Sequence, residues 1–171
     1  MIVIMAGLPG TGKTTLAREL ADYTDGAILS KDEIRAALFS PEDIEYSVKQ
    51  DDFVMEVMLD AARFLLENTP TRKLFLDGRT FSSRYQIDRV IAFSRELNQP
   101  WKIIECVCSD ESARRRLSAV DPSHPARNRS FALYSEMKQR FEEITYPKTT
   151  ISTEQSLKRC LEQALIVIAA G

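Results

Sequence analysis

The chain has 171 residues, of which 44% are hydrophobic, and this is the size and composition of one ordinary domain with its own core. Its 23 Lys and Arg residues nearly balance 25 Asp and Glu residues, so the net charge of −2 excludes a global field that would attract nucleic acid or an anionic membrane. The longest apolar runs, Ile2 to Leu8 and Ala164 to Ala170, are far shorter than the roughly 20 residues of a membrane helix. We therefore expect a cytoplasmic protein, with Cys106 and Cys108 as core thiols on one face of a strand.

Hydrophobic periodicity predicts strands and helices in alternation, which is typical of a parallel sheet covered by helices on both faces. In chain order the pattern predicts strand 2–6, helix 13–23, strand 27–29, helices 32–39 and 48–66, strand 73–77, helix 83–97, strand 101–107, helices 111–119 and 130–143, strand 149–152 and helix 154–169. We expect a single α/β domain over residues 1–171, with three layers around a five-stranded parallel sheet. Residues 121–129, which contain two prolines, are predicted to form a lid loop within it.

The first strand leads directly into a phosphate-binding motif. Residues 7–14 match the pattern G-x-x-x-x-G-K-[ST] at every fixed position, and the motif opens a helix, as a P-loop requires. Glycines let successive N–H groups point at phosphates, and the helix N-terminus adds partial positive charge. Lys13 can reach the β- and γ-phosphates, while the Thr14 hydroxyl can bind Mg²⁺. The predicted nucleotide-binding residues are Gly7, Gly10, Thr11, Gly12, Lys13, Thr14 and Thr15.

Two acidic residues follow strands at the edge where an open parallel sheet binds its ligands. Asp32 can accept the proton of an attacking hydroxyl group, and Arg35, one helical turn later, shares its face and can hold the acceptor or the phosphoryl group. The alternative is that Asp32 caps the short helix and Arg35 pairs with it. Asp77 is a candidate for orienting the metal, with a simple turn aspartate before Gly78 as the alternative.

These motifs together resemble the small P-loop kinases that include the kinase domain of polynucleotide kinase, chloramphenicol phosphotransferase and zeta toxins. The resemblance covers nearly the whole chain and rests on the P-loop, on residues 30–35 (SKDEIR), on residues 76–81 (LDGRTF) and on the arginines after the fourth strand. It implies the P-loop nucleoside triphosphate hydrolase fold of the small-kinase type, ATP with Mg²⁺, contact of Asp32 with the acceptor hydroxyl, and an approach of Asp77 to Mg²⁺ or the acceptor.

The predicted lid departs from the family pattern. Members of the family often carry R-L-x-x-R here, whereas this chain has Arg116 followed by Leu-Ser-Ala-Val, without the second arginine. Arg114, Arg115 and Arg116 fan over some 200° of a helix, so they cannot all face one phosphate. We assign Arg116 to the nucleotide, and Arg127 and Arg129 to the clamp on the γ-phosphoryl group.

The sequence predicts a kinase that transfers the γ-phosphoryl group of ATP to a hydroxyl of a small molecule. A GTPase is disfavoured because the chain lacks an N-K-x-D guanine motif and a D-x-x-G at Asp77. A nucleotide-binding regulator or toxin-type protein without catalysis stays an alternative, against which Asp32 and Arg35 count. Residues 41–60 hold seven acids against one base, Lys49, which favours a neutral or cationic acceptor over a polynucleotide 5′-hydroxyl end, or is simply the solvated face of a helix.

Overall fold

Five parallel strands run through the centre of the fold in the computed structural model, which describes residues 1–119 and 128–169. The strands are β1 Ile2–Ala6, β2 Ala27–Ser30, β3 Leu74–Asp77, β4 Trp101–Val107 and β5 Thr149–Ser152. They lie in the order β2-β3-β1-β4-β5, and every neighbouring pair is parallel. The predicted five-stranded parallel sheet is therefore confirmed.

Helices cover both faces of this sheet. They are α1 Lys13–Thr24, α2 Lys31–Leu38, α3 Val48–Asn68, α4 Arg84–Glu96, α5 Asp110–Ser118, α6 Phe131–Gln139 and α7 Leu157–Ala169, with one 3₁₀ turn at Pro41–Asp43. No helix among the described residues is long and apolar enough to cross a membrane. The three-layer arrangement is the P-loop fold of the small-kinase type that the sequence predicts.

The central strand β1 divides the core into two parts. Its successive side chains point to opposite faces, so Ile2 and Ile4 pack in the cluster that contains Met58 of α3. Val3 and Met5 pack in the other cluster, beneath α1 and α7. All five residues of β1 are fully buried, which explains why this strand is a continuous apolar run in the sequence.

The register of the strands brings the polar candidates to one edge. Ser30 at the end of β2 lies opposite Asp77 at the end of β3, and the P-loop follows directly after β1, the other neighbour of β3. Because all strands are parallel, their carboxyl ends lie at this edge, where ligands of open α/β sheets bind.

Three expectations from the sequence are wrong in detail. Helix α7 begins at Leu157 rather than at residue 154, because the Glu154 carboxylate accepts hydrogen bonds from the N–H and hydroxyl of Ser109, at 2.8 and 2.9 Å, and so lies against the start of α5. Helix α6 ends at Gln139 rather than at residue 143, since the chain then turns and the Glu142 N–H donates to the Ser82 carbonyl. Cys108 lies just past β4 and is only half-buried.

Candidate functional site

The P-loop, residues 7–12, is shaped by its glycines. Gly7, Gly10 and Gly12 have φ angles of +129°, +77° and +85°, in the region that side chains rarely adopt. A Cβ atom on Gly7 would lie 2.3 Å from the carbonyl oxygen of Cys106, so no larger residue fits without moving the backbone. The motif therefore forms the predicted turn between β1 and α1.

Lys13 lies inside this loop rather than in solvent. Its Nζ donates to the carbonyl oxygens of Gly7 and Leu8, at 2.7 and 2.8 Å. Burial lowers the pKa of Lys13, and the nearby Asp77 carboxylate partly offsets that effect. Of the two other predicted threonines, Thr11 donates its hydroxyl to the Leu8 carbonyl and holds the loop, while Thr15 is exposed on the first turn of α1.

Thr14 and Asp77 come together as a pair of oxygen ligands. The Thr14 hydroxyl donates to Asp77 Oδ2 at 2.7 Å, although 63 residues separate them in the chain. Asp77 Oδ1 is buried without a hydrogen-bond partner among the described residues. A hydroxyl and a carboxylate beside a phosphate cradle are the hard oxygen donors that Mg²⁺ prefers, so these residues fit that ion. No cluster of three or more His, Cys, Asp or Glu side chains within 1–119 and 128–169 could hold a metal by itself, which is usual where Mg²⁺ binds mainly through phosphates.

Asp32 does not cap helix α2. The cap is Ser30, whose hydroxyl oxygen accepts from the Glu33 N–H at 3.4 Å, so the capping alternative for Asp32 is wrong. The Asp32 carboxylate, 15% exposed, lies 3.4 Å from Arg35 Nη1 and 3.9 Å from Lys31 Nζ. The predicted pairing with Arg35 is therefore present, and it leaves Asp32 at the wall of the cavity described below.

A second carboxylate, which the sequence did not single out, joins the same group. Asp51 on the first turn of α3 lies 3.0 Å from Lys31 Nζ, and it also forms an ion pair with Arg35. The side chains of Lys31 and Arg35 are only 8% and 3% exposed. Burial lowers the pKa of Lys31 to about 8, because desolvation of the ammonium outweighs the attraction of the carboxylates around it.

Arg79, in the turn after β3, completes the cluster. Its side chain is 5% exposed, and its Nη2 donates to Asp52 at 2.6 Å and to the Tyr85 hydroxyl at 3.2 Å. The interpretation of residues 41–60 as an acidic surface is therefore wrong in part, because Asp51 and Asp52 are neutralised by buried bases from other elements. No local feature of the sequence distinguishes these two acids from the other acids of α3.

Arg116 lines the cavity and is hydrogen-bonded to the P-loop. Its guanidinium donates to the Gly10 carbonyl at 3.3 Å, and to the hydroxyl and carbonyl oxygens of Thr153, both at 2.8 Å. Since the Thr153 side chain lies next to Gly12, this arginine links β5 to the loop. Its predicted contact with the nucleotide remains a prediction.

Of the two arginines predicted to clamp the γ-phosphoryl group, the structure describes only Arg129. Arg129 is half-buried and lines the cavity, close enough to Lys13 to lower the pKa of that lysine. Arg127 lies outside the described residues, as does most of the predicted lid 121–129. Arg114 instead lies over the ring of Phe131, 3.8 Å from its centroid, which makes it a surface contact between α5 and α6.

One cavity of about 1010 Å³ joins these groups. We call the part of the cavity lined by Lys13 and Thr14 of α1 the donor end, and the part lined by Lys31 and Asp32 of α2 and by Arg79 the acceptor end. A cavity of this size can hold a nucleotide and a second small molecule. The P-loop and the Asp32 carboxylate thus line the same cavity.

Comparisons with known proteins agree with this architecture. Residues 2–144 match the model of a family described as an AAA domain. A sugar kinase from Janibacter sp. HTCC2649 is 17% identical with a TM-score of 0.69, covering 98% of this chain and 94% of that one. A putative kinase from Chloroflexus aurantiacus is 18% identical with a TM-score of 0.73, covering 97% of each chain.

The APS kinase of Mycobacterium tuberculosis, solved with AMPPNP and APS, is 14% identical with a TM-score of 0.73, covering 98% of this chain and 96% of that one. No curated protein matches the chain. At these identities the solved structures show a shared fold, and the narrower resemblance to polynucleotide kinase, chloramphenicol phosphotransferase and zeta toxins remains a prediction. The match over residues 2–144 shows that the chain belongs to the AAA-domain family, with the P-loop fold of the small kinases.

Proposed function

We propose that this protein is a kinase that transfers the γ-phosphoryl group of Mg·ATP to a hydroxyl group of a small molecule. The observation that carries the proposal is that Asp32 and Lys13 line one cavity, in which burial lowers the pKa of the lysine and the Asp77 and Asp32 carboxylates partly offset that lowering. A protein that only binds nucleotide needs no carboxylate base at that position. Sugar kinase and APS kinase, the names of two proteins with this fold, are also consistent with a small acceptor.

The donor end binds and orients the phosphates in this proposal. The N–H groups of the P-loop and the start of α1 attract phosphate oxygens, and Lys13 adds a full positive charge. Thr14 and Asp77 would hold Mg²⁺, which neutralises charge on the phosphates when bound. Arg129, with Arg127, would stabilise the charge that develops on the transferring group.

The acceptor end prepares the attacking oxygen. Asp32 accepts the proton of the acceptor hydroxyl as the oxygen attacks phosphorus, and ADP leaves with the electrons of the broken phosphoanhydride bond. Arg35 and Lys31 keep the Asp32 carboxylate oriented through their contacts at 3.4 and 3.9 Å. General-base catalysis of this kind contributes roughly 10²- to 10⁴-fold in rate.

A transfer assay with radiolabelled ATP tests the proposal. The acceptors are hydroxylated metabolites, aminated antibiotics, and 5′-hydroxyl DNA and RNA oligonucleotides over a salt series. We expect label on at least one small molecule. Efficient and salt-sensitive labelling of the oligonucleotides would instead favour a polynucleotide 5′-hydroxyl kinase, because backbone contacts give steep salt dependence. Nucleotide binding without any transfer would favour a non-catalytic protein.

A further inference from the structure

The acceptor end contains three basic side chains that are almost wholly buried. The side chains of Lys31, Arg35 and Arg79 are 8%, 3% and 5% exposed, and all three line the cavity. They come from α2 and from the turn after β3. Buried charges are costly unless anions and hydrogen-bond partners compensate them, so this cluster requires negative charge nearby.

The carboxylates of the chain that supply this charge lie farther out. Asp32, Asp51 and Asp52 are 15%, 26% and 44% exposed, and the last two lie near the start of α3. The bases are therefore fixed in the wall, while two of their three counterions stand at its rim. An anionic ligand can take the place of a rim carboxylate, because water solvates the displaced carboxylate while the buried arginine keeps a counterion.

The internal pairs also leave buried polar atoms unused. Arg35 Nε and Arg79 Nε are buried without a hydrogen-bond partner among the described residues, as is the Oε1 atom of Gln86, another residue of the cavity wall. The Nε–H and one Nη–H of an arginine form the edge that binds carboxylate, sulfate or phosphate through two hydrogen bonds.

We propose that the acceptor is a small hydroxylated acid, whose carboxylate, sulfate or phosphate group binds to Arg79 and Arg35 while its hydroxyl group meets Asp32. This inference rests on the proposed kinase function and names the substrate class of that site. Arg35 Nη1 lies 3.4 Å from Asp32, so one short molecule can reach both the base and the arginine. This proposal differs from the expectation of a neutral or cationic acceptor, because Asp51 and Asp52, two of the seven acids behind that expectation, are paired with buried bases of the cavity wall.

Matched ligand pairs test the charge of the acceptor. Calorimetry is performed on protein saturated with Mg·AMP-PNP, so that the P-loop is occupied and anions do not bind there. The probes are glycerol, glycerate and glycerol phosphate, then glucose and gluconate, and inorganic sulfate. We expect the charged member of at least one pair to bind about tenfold more tightly than its neutral partner. Equal affinity within every pair overturns the inference, as does tighter binding of a 5′-hydroxyl oligonucleotide than of every small anion.

Two variants, for which we expect opposite changes in anion affinity, test the roles of Arg79 and Asp52. Arg79→Gln should weaken anion binding about tenfold, whereas Asp52→Asn should strengthen it, because the amide no longer competes for the guanidinium. If the pair were only structural, both variants would weaken binding or leave it unchanged, and either result overturns the inference. Arg89→Gln is the matched control, since Arg89 bridges α4 to Glu56 of α3 on the exposed surface.

The transfer assay, together with anion binding, distinguishes failure of the proposed anion subsite from failure of the proposed kinase function. Phosphoryl transfer to neutral alcohols as fast as to the matched acids would keep the kinase and overturn the anionic subsite. Anion binding that depends on Arg79, without transfer to any acceptor, would keep the subsite and contradict the kinase.

Discussion

The two ends of the cavity are built in different ways. At the donor end the P-loop motif is one continuous segment, residues 7–14, and Lys13 is held by carbonyl oxygens of its own loop. At the acceptor end, Lys31 and Asp51 pair across 20 positions of the chain, and Arg79 and Asp52 pair across 27. The donor end thus depends on backbone shape, whereas the acceptor end depends on ion pairs between separate elements.

This difference predicts that one added methyl group in the P-loop destabilises the protein more than the loss of one carboxylate at the acceptor end. Gly7→Ala should lower the free energy of unfolding by about 3 kcal/mol or more, because its φ is +129° and the new Cβ would meet the Cys106 carbonyl oxygen at 2.3 Å. Asp52→Asn at the acceptor end should lower it by less, about 1–2 kcal/mol, because Asp52 is 44% exposed and the amide oxygen can still accept a hydrogen bond from Arg79. Urea unfolding measures both, and equal stabilities of the two variants would contradict the comparison.

Removal of the donor-end charge should abolish the response to nucleotide. With Mg·ATP at 100 times its dissociation constant, the wild-type protein should gain about 2.7 kcal/mol of stability. Lys13→Ala should lose this gain, because the cradle no longer offsets the terminal phosphates. The thermal shift of Lys158→Ala, an exposed lysine on α7, serves as the control and should equal that of wild type. An unchanged shift in Lys13→Ala would show that the P-loop is not the nucleotide site.

A variant of Arg129 tests the predicted clamp on the γ-phosphoryl group. Arg129→Ala should lower kcat about 10- to 100-fold, because a hydrogen bond to a charged group is worth about 1.5–3 kcal/mol. The affinity for ATP should change less, since the contact strengthens as charge develops during transfer. Arg114→Ala, which removes a positive charge and the contact with Phe131, should have little effect. Equal losses in the two variants would indicate general positive charge rather than a placed clamp.

The smallest expected effect is a pH dependence at the acceptor end. Since the pKa of Lys31 is lowered from 10.5 to about 8 in the folded protein, the unfolded chain holds more protons between these values, and stability due to this group rises with pH there. From pH 7 to 9 the free energy of unfolding should rise by about 1 kcal/mol relative to Lys31→Met. The charged groups around Lys31 are Asp32, Arg35, Asp51, Asp52 and Arg79. Parallel pH profiles of the two proteins would contradict the burial of a charged lysine.

Continuous features of the chain could be predicted from the sequence. Strand β1 and the P-loop are visible because a fully buried parallel strand is an unbroken apolar run, and because a phosphate cradle uses fixed glycine positions. Asp77 could be predicted for the same reason, since it directly ends such a strand. The predicted ends of helices were less accurate where a tertiary contact decides them. Helix α7 begins after Glu154, because the Glu154 carboxylate binds the start of α5.

The paired charges of the acceptor end could not be predicted in the same way. A lysine or an aspartate on a helix is ordinarily solvated, and nothing local distinguishes Asp51, which pairs with Lys31, from Glu56, which lies on the exposed face of the same helix. Only the packing of α2 against α3 decides which charges are buried together. The count of acids in residues 41–60 therefore predicted a negative charge for a surface on which buried bases neutralise Asp51 and Asp52.

The most direct test of the central claim is to measure Asp32→Asn in both assays, nucleotide binding and phosphoryl transfer. The substitution keeps the shape of the side chain and removes its charge and basicity. We predict an unchanged nucleotide-dependent thermal shift and a kcat lowered by roughly 10²-fold or more, with Glu33→Gln, an exposed neighbour on α2, behaving as wild type. Turnover of Asp32→Asn at the wild-type rate would contradict the account, because the acceptor end would then contain no catalytic base.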